Sequence, residues 1–248
     1  MHSDLELFQR CCQFLLKEEK KQPVAQPIST AILTETLQLQ LEDHAMPDDD
    51  FEAIFKNIIA ATPKTASKAF FNQLFGGRIS KAALGELMAV MLNNSMYTYK
   101  VAGPQVGIEK EVINSIGNVI GYNSDFGGTF APGGSMANLM GMLMARDKFN
   151  PEIRANGLPE KLIVYTSEDA HYSIEKNAGF MGLGKASVCK IKTNSQGEMC
   201  VDDLRTQIEK HLQQGYHPFF VNATAGTTVL GAFDNIEALS SVCKHYNL

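Results

Sequence analysis

The clearest pattern in the chain is an alternation of short apolar segments with amphipathic segments beyond residue 160. The apolar segments predict strands and the amphipathic segments, with apolar positions at helical spacing, predict helices. The predicted strands are residues 162–166, 186–192 and 218–223, and the predicted helices are residues 173–180, 201–213 and 236–246. Strands that alternate with helices favour a mostly parallel sheet flanked by helices on both faces, which is an α/β fold.

The earlier part of the chain is predicted to be helical. Apolar side chains recur at helical spacing in residues 4–20, and further helices are expected at 30–61, 82–92 and 108–121, with a turn at MPDDD (46–50). We interpret residues 1–80 as an N-terminal helical segment and 81–248 as the first part of a large α/β domain. The first amphipathic helix is equally compatible with packing on a partner subunit and with packing on its own domain.

Composition and charge exclude several classes of partner. The 248 residues are 44% hydrophobic and 20% charged, with a formal net charge of -5, which disfavours nucleic acid as a partner. No run reaches the roughly 18 apolar residues of a membrane span. Asp4 and Glu6 stand where an export signal carries positive charge, and the five cysteines have no metal-binding or paired spacing. These features predict a cytoplasmic protein with neither a membrane segment nor a metal site.

Three polar segments are expected at the edge formed by the carboxyl ends of the strands, where open parallel sheets bind ligands. Pro132 to Met136 begins an apolar helix with two glycines and a serine, a composition suited to binding a phosphate at a helix N-terminus. The segment SEDAHYS (167–173) follows the first strand and contains His171. The segment NATAGTT (222–228) follows the third strand and contains three threonines.

Each of these segments also has a simpler interpretation. The glycine and serine positions can serve only as a helix cap, a single loop histidine is often solvated or packed, and threonines commonly satisfy turn N–H groups. Another glycine-rich segment, GFMGLGKA (179–186), lacks the Ser or Thr of a P-loop and follows a helix, so we interpret it as a loop between a helix and a strand. The spacing alone predicts a binding edge without naming a reaction.

At these residues the chain resembles the group II pyridoxal-phosphate (PLP) dependent decarboxylases, in the branch of glutamate, cysteine sulfinate and aspartate decarboxylases. The resemblance runs from about residue 65 to the end, and the first sixty residues do not share it. The matching stretches are FFNQLF (70–75), NNSMYTYKVAGP (93–104), FAPGGSMANL (130–139), TSEDAHYSIEKNAGFMGLG (166–184) and YHPFFVNATAGTTVLGAFD (216–234).

The resemblance implies fold type I, a homodimer and PLP as the cofactor. Gly134 and Ser135 are similar to the residues that hold the cofactor phosphate. His171 resembles the histidine that stacks on the pyridine ring and assists proton transfer. Thr228 resembles a threonine that contacts the cofactor.

The resemblance also implies decarboxylation of a small acidic L-amino acid to the corresponding amine and CO2. Gln73 is similar to a glutamine that meets a substrate carboxylate, and Phe75 lies beside it and shapes the pocket. Packing roles are the alternative for both side chains. Phe75 is closer to the cysteine sulfinate and aspartate type than to the animal glutamate type.

In this family, two cofactor-binding residues follow a segment like SVCKHYNL (241–248). They are an aspartate that faces the pyridine nitrogen and the lysine that forms the Schiff base. The resemblance therefore implies that residues 81–248 stop before that lysine and are inactive alone. The alternative for a chain that truly ends at 248 is a nonenzymatic module that binds a phosphate-bearing ligand or a partner. A further fold type I enzyme such as an aminotransferase is disfavoured by the HYS and NATAGTT contexts.

Overall fold

A computed structural model describes residues 2–41, 43–72, 74–159 and 161–248. The chain forms two compact units, Met1–Asn94 and Ser95–Leu248. The predicted division at residue 80, between a helical segment and the α/β domain, stays a prediction. In the part of the chain that the structure describes, no helix combines the length and the apolar character that crossing a bilayer requires.

The first unit is helical, as the sequence predicts, except that residues 37–41 and 43–45, within the predicted helical stretch 30–61, are not helical. Its helices are α1 (His2–Glu18), α2 (Leu33–Thr36), α3 (Asp48–Ala61) and α4 (Ser80–Leu92), and α1 packs against α3. The turn predicted at residues 46–50 is wrong in its second half, because Asp48, Asp49 and Asp50 form the first turn of α3. Three carboxylates at this end are favourable because the helix N-terminus carries partial positive charge.

The second unit begins with helices and continues as an α/β alternation. The helices before the first strand are α5 (Tyr99–Ala102), α6 (Pro104–Ile120), α7 (Gly134–Phe149) and α8 (Ile153–Asn156). The alternation then runs β1 (Leu162–Ser167), α9 (Ser173–Phe180), β2 (Val188–Ile191), α10 (Val201–Gln213), β3 (His217–Asn222) and α11 (Ile236–Tyr246). The predicted helices at 173–180, 201–213 and 236–246 are confirmed. The second strand starts later than predicted because Lys185–Ser187 form a 3-10 turn.

The three strands form a parallel sheet in the order β2-β1-β3, so β1 is central. Alternate side chains of β1 enter two cores, because successive side chains point to opposite faces of a sheet. Leu162 and Val164 pack with residues of α7 and α9, whereas Ile163 and Tyr165 pack with residues of α10 and α11. The predicted α/β sheet with helices on both faces is therefore confirmed.

Candidate active site

The carboxyl ends of the three strands, at Ser167, Ile191 and Asn222, lie along one edge of the sheet. The edge is tied together by side chains, since Asn222 Nδ2 donates to Thr166 Oγ1 at 3.1 Å. Loops that carry the predicted site residues leave β1 and β3 here. The edge thus has the position that open parallel sheets use for ligand binding.

Helix α7 begins at the glycine turn predicted to hold phosphate. Gly133 has a φ of 124°, a conformation that glycine adopts at low cost, and no side chain caps the helix. Gly134 and Ser135 are therefore the first two helical residues, and Ser135 does not act as the cap that its sequence position allows. A Cβ added at Gly134 would meet no atom within 4 Å, so the backbone there is open to an approaching group.

A shallow depression surrounds this turn. Its lining combines the backbone of the turn with side chains of α9, namely Lys176, Asn177 and Phe180. The Lys176 ammonium lies 5.6 Å from the centroid of the Phe180 ring. Uncapped N–H groups, the helix dipole and a nearby ammonium group are together suited to a phosphate dianion.

His171 lies in the loop between β1 and α9. Its Nδ1 accepts a hydrogen bond of 3.2 Å from the backbone N–H of Ser173, and its ring centroid is 4.3 Å from that of Tyr172. The imidazole is exposed, whereas Ser173 is fully buried. One ring nitrogen is thus fixed by the protein while the ring remains accessible to a ligand.

Thr228 lies in the loop that follows β3 and lines the same depression as His171. This depression is also lined by Thr224, Thr227 and the apolar tip of the loop, at Val229 and Leu230. Three threonines and the histidine predicted from separate segments are therefore brought together by the fold. Gly134 and Ser135 line the other depression, which does not include His171.

Two side-chain hydrogen bonds connect the glycine turn to the segment that carries His171. Asn177 Nδ2 donates to the carbonyl of Ser135 at 2.9 Å, and Asn138 Nδ2 donates to Ser173 Oγ at 2.9 Å. Ser173 in turn binds His171 through its backbone N–H. The start of α7 and the start of α9 are thus held as one framework, with the phosphate turn and the histidine at its two ends.

Sequence reasoning missed the residues that build this framework. Asn177 is 2% exposed, and Asn138 is half-buried, yet each lies in an ordinary helical pattern. The only signal in the sequence is a polar side chain within an otherwise apolar helix. Ser167 belongs to the predicted segment 167–173, and among the described residues its Oγ is the one buried side-chain oxygen or nitrogen that lacks a hydrogen-bond partner.

The predicted substrate residues belong to the first unit. Gln73 lies outside the described residues. Phe75 is half-exposed, and its ring makes an edge contact with Phe70 at 5.6 Å between centroids. It lines a cavity between α1 and α3 that also contains Leu15 and Arg78. The substrate role of both residues stays a prediction.

Residues 32–248 match the pyridoxal-dependent decarboxylase conserved domain, which is most of the chain. The chain belongs to the pyridoxal-dependent decarboxylase family. The predicted resemblance to the pyridoxal-phosphate dependent decarboxylases is therefore confirmed.

Curated relatives of this family member are decarboxylases. The chain is 38% identical over 218 residues to mouse cysteine sulfinic acid decarboxylase, covering 87% of this chain and 44% of that protein. It is 35% identical over 218 residues to the acidic amino acid decarboxylase GADL1 of Xenopus tropicalis, covering 87% of this chain and 42% of the relative. The chain thus spans less than half the length of these two relatives.

The fold also matches a solved decarboxylase. The crystal structure of mouse CSAD superposes with a TM-score of 0.95 at 34% identity, covering 99% of this chain and 53% of that one. This match confirms the predicted fold of the PLP-dependent decarboxylases. The expectation that the first sixty residues lie outside the resemblance is wrong, because the family match begins at residue 32 and the structural match covers 99% of the chain.

Proposed function

We propose that the protein containing this chain is a PLP-dependent decarboxylase that converts an acidic L-amino acid to the corresponding amine and CO2. Family membership and the names of the two curated relatives support this proposal. The observation that carries it is the pair of hydrogen bonds linking the glycine turn of α7 to the segment bearing His171. A phosphate anchor and an accessible imidazole joined by one buried framework fit a phosphorylated aromatic ring.

The backbone N–H groups of Gly134 and Ser135 would hold the phosphate. They lie in the first turn of α7, where N–H groups have no partner within the helix and the dipole favours negative charge. The Lys176 ammonium lines the same depression and adds positive charge. Asn177 holds the turn in place through the Ser135 carbonyl and is itself buried.

His171 would cover the pyridine ring and hold a proton at one defined atom. Because Nδ1 accepts a hydrogen bond from the Ser173 N–H, the neutral imidazole carries its proton on Nε2. The Nε2–H is then free to donate to a carboxylate of the substrate. Bound PLP supplies an electron sink for the electron pair left at Cα when CO2 departs.

The other predicted residues have separate roles in binding the cofactor and the substrate. Thr228 lines the depression with His171 and would contact the cofactor through its hydroxyl. Val229 and Leu230 are apolar and largely exposed in the same depression, so they would help to exclude water from a bound ring. Gln73 would bind a substrate carboxylate, and Phe75 would shape the pocket beside it.

Cofactor binding is tested by titrating PLP into the chain in an isothermal calorimeter. We expect His171→Ala to weaken binding by about tenfold, because one stacked aromatic contact is lost. His217→Ala is the matched control, since His217 is exposed at the start of β3, at the other end of the strands. Equal affinities for the wild-type chain and His171→Ala would overturn the role of His171, and failure of the wild-type chain to bind would overturn the cofactor site.

Substrate class is tested on the full-length protein that contains this chain. Release of labelled CO2 is measured with cysteine sulfinate, aspartate and glutamate as separate substrates, with PLP added. We expect turnover of at least one of the three, and Phe75→Ala to change the ratio of their kcat/KM values. Turnover of none of them would contradict the proposal.

We also propose a homodimer in a cytoplasmic setting. Large apolar side chains are exposed in each unit, among them Leu84 and Met91 on α4 of the first and Val119 on α6 of the second, and they support assembly with a second copy. The five cysteines, all of them free, support a reducing compartment. Sedimentation of the full-length protein tests the first point, and fractionation of cells that express it tests the second.

A further inference from the structure

A tight turn between β2 and α10, residues 193–199, contacts the loops on both sides of the His171 depression. We name this turn the brace, residues 168–172 the His171 loop, and residues 224–234 the Thr228 loop. The brace is closed by an antiparallel bridge between Thr193 and Met199 and by the Asn194 side chain, which accepts from the N–H groups of Gln196 and Glu198. It is therefore closed by its own hydrogen bonds, and none of its residues lines the depression.

One end of the brace holds the His171 loop through two adjacent carboxylates. The backbone N–H of Thr193 donates to Glu168 Oε1 at 2.9 Å. Thr193 Oγ1 lies 3.1 Å from Glu168 Oε1 and 2.8 Å from Asp169 Oδ2. Since a hydroxyl has one proton, Thr193 shares it between the two carboxylates and keeps both beside the brace. Glu168 and Asp169 come directly before Ala170 and His171.

The other end of the brace holds the Thr228 loop through Asp234. This carboxylate is 5% exposed and accepts two backbone hydrogen bonds of 2.7 Å, from Met199 of the brace and from Thr224 of the loop. The backbone N–H of Asp234 also donates to the Thr224 carbonyl at 2.9 Å. Both carboxylate oxygens are thus used to join the end of the brace to the two ends of the loop.

The brace also packs directly on the Thr228 loop. Gly197 is buried with a φ of 79°, and a Cβ at that position would lie 3.0 Å from Ala232 Cβ and 3.3 Å from Leu230 Cδ1. Within the loop, Ala232 donates its N–H to Thr227 Oγ1 at 3.0 Å. Gly197 therefore packs against Leu230 and Ala232, close in sequence to Thr228.

We propose that the brace couples the His171 loop to the Thr228 loop, and that Thr193 and Asp234 are positioning residues for the ring-binding site. Neither side chain lines the depression, so each acts through the loop that it holds. The identity of the ligand between the loops rests on the proposed function. The coupling itself is a property of the chain without any ligand.

Hydrogen exchange of the cofactor-free chain tests the coupling. Thr193→Val keeps the shape and the backbone N–H but removes the shared proton, and we expect exchange in residues 168–172 to rise about fivefold. The decisive readout is the Thr228 loop, where we expect a smaller rise although no residue of it touches the substituted hydroxyl. Thr193→Ser should restore wild-type exchange in both loops. A rise confined to the His171 loop would overturn the coupling.

Thr206→Val is the matched control. It makes the same exchange of hydroxyl for methyl on α10, where Thr206 is exposed and its hydroxyl donates only within the helix, to the Asp202 carbonyl. We expect no change in either loop. A rise in both loops with this variant would show that the effect of Thr193→Val is general destabilisation.

Asp234→Asn perturbs the other end of the brace, at Met199. The amide group faces two backbone N–H donors with only one oxygen, so one of the two hydrogen bonds is lost at almost constant shape. We expect faster exchange in the Thr228 loop and, if the brace transmits the change, in the His171 loop; an unaltered His171 loop would overturn the proposal. Circular dichroism in urea checks that the variant is folded, and Gly197→Ala provides a third perturbation if it is not.

PLP titration separates this proposal from the preceding one. If the wild-type chain binds PLP, we expect Thr193→Val to weaken binding about threefold, and in the full-length protein to raise KM for the substrate more than it lowers kcat. If the wild-type chain does not bind PLP, the proposed function fails while the exchange result still decides the coupling. Exchange that is unchanged in both loops overturns the coupling even where PLP binds.

Discussion

The two units of this chain are stabilised in different ways. The second unit has two apolar cores, one on each face of its sheet, with β1 buried along its whole length. In the first unit, neither α3 nor α4 contains a buried residue among those described. Ion pairs join Arg10 of α1 to Glu52 of α3, and Glu19, which follows α1, to Arg78. The sheet edge that carries His171 and Thr228 belongs to the unit with the two apolar cores.

The largest expected effect is the loss of a core side chain in the second unit. Leu204→Ala on α10 removes a fully buried side chain and should cost about 2–5 kcal/mol of the free energy of unfolding. The same change at Leu84 on α4, where the side chain is 61% exposed, should alter it by less than about 0.5 kcal/mol at concentrations where the chain is monomeric. Urea unfolding followed by circular dichroism measures both, and a similar cost for the two would show that α4 is covered in solution.

An intermediate loss of the free energy of unfolding is expected at acid pH, because of His211 on α10. The hydroxyl of fully buried Tyr165 and His211 Nδ1 are 3.1 Å apart, and burial, with the charge of Lys210 added, lowers the pKa of His211. The unfolded chain therefore binds this proton more readily. The contribution of neutral His211 to the stability of the second unit is present in full above the ordinary histidine value of 6.5 and is lost as the pH falls below that value towards the lowered pKa.

His211→Gln tests this dependence, because glutamine keeps a polar partner for Tyr165 and does not titrate. We expect the variant to lose less stability than the wild-type chain between pH 7 and pH 5, measured by urea midpoints. His217→Gln, at an exposed position, should follow the wild-type chain. Parallel curves for His211→Gln and the wild-type chain would assign the acid sensitivity to other groups.

The smallest effect is expected from the ion pairs of the first unit. Hydrogen bonds from Arg10 and Lys56 lower the pKa of Glu52 to about 2, so the pairing stabilises above the ordinary value of 4.5 and is lost as the pH falls towards 2. These groups are in contact with solvent, and salt screens them. In 1 M NaCl we expect hydrogen exchange in α1 and α3 to rise less than about threefold, and exchange in α10 to stay unchanged. An equal rise in α10 would contradict the difference between the two units.

Several elements could be predicted because their signals are local. The helices at 173–180, 201–213 and 236–246 follow from spacing within a few residues, and so do the strand cores of β1 and β3. The glycines at 133 and 134 mark a turn for the same reason. The aspartates at 48–50 were misread because a run of carboxylates occurs both in turns and in the first turn of helices, and local sequence does not distinguish the two.

The supports of the site could not be predicted in this way. Asn177 and Ser135 are 42 residues apart, and Met199 and Asp234 are 35 residues apart, so no periodic pattern relates them. Thr193, Gly197 and Asp234 lie in segments that look like ordinary loops. Their roles follow from which loops are neighbours, and that depends on the strand order.

The sequence by itself determined the alternation of strands and helices, the glycine turn at the start of α7, and the types of side chain available at the sheet edge. Tertiary structure alone decided that His171 and Thr228 share a depression and that residues 193–199 brace both of their loops. The physical reason is that propensity and periodicity act over a few residues. The order β2-β1-β3 is decided by packing across the whole unit, and it places the loop of the central strand between two others.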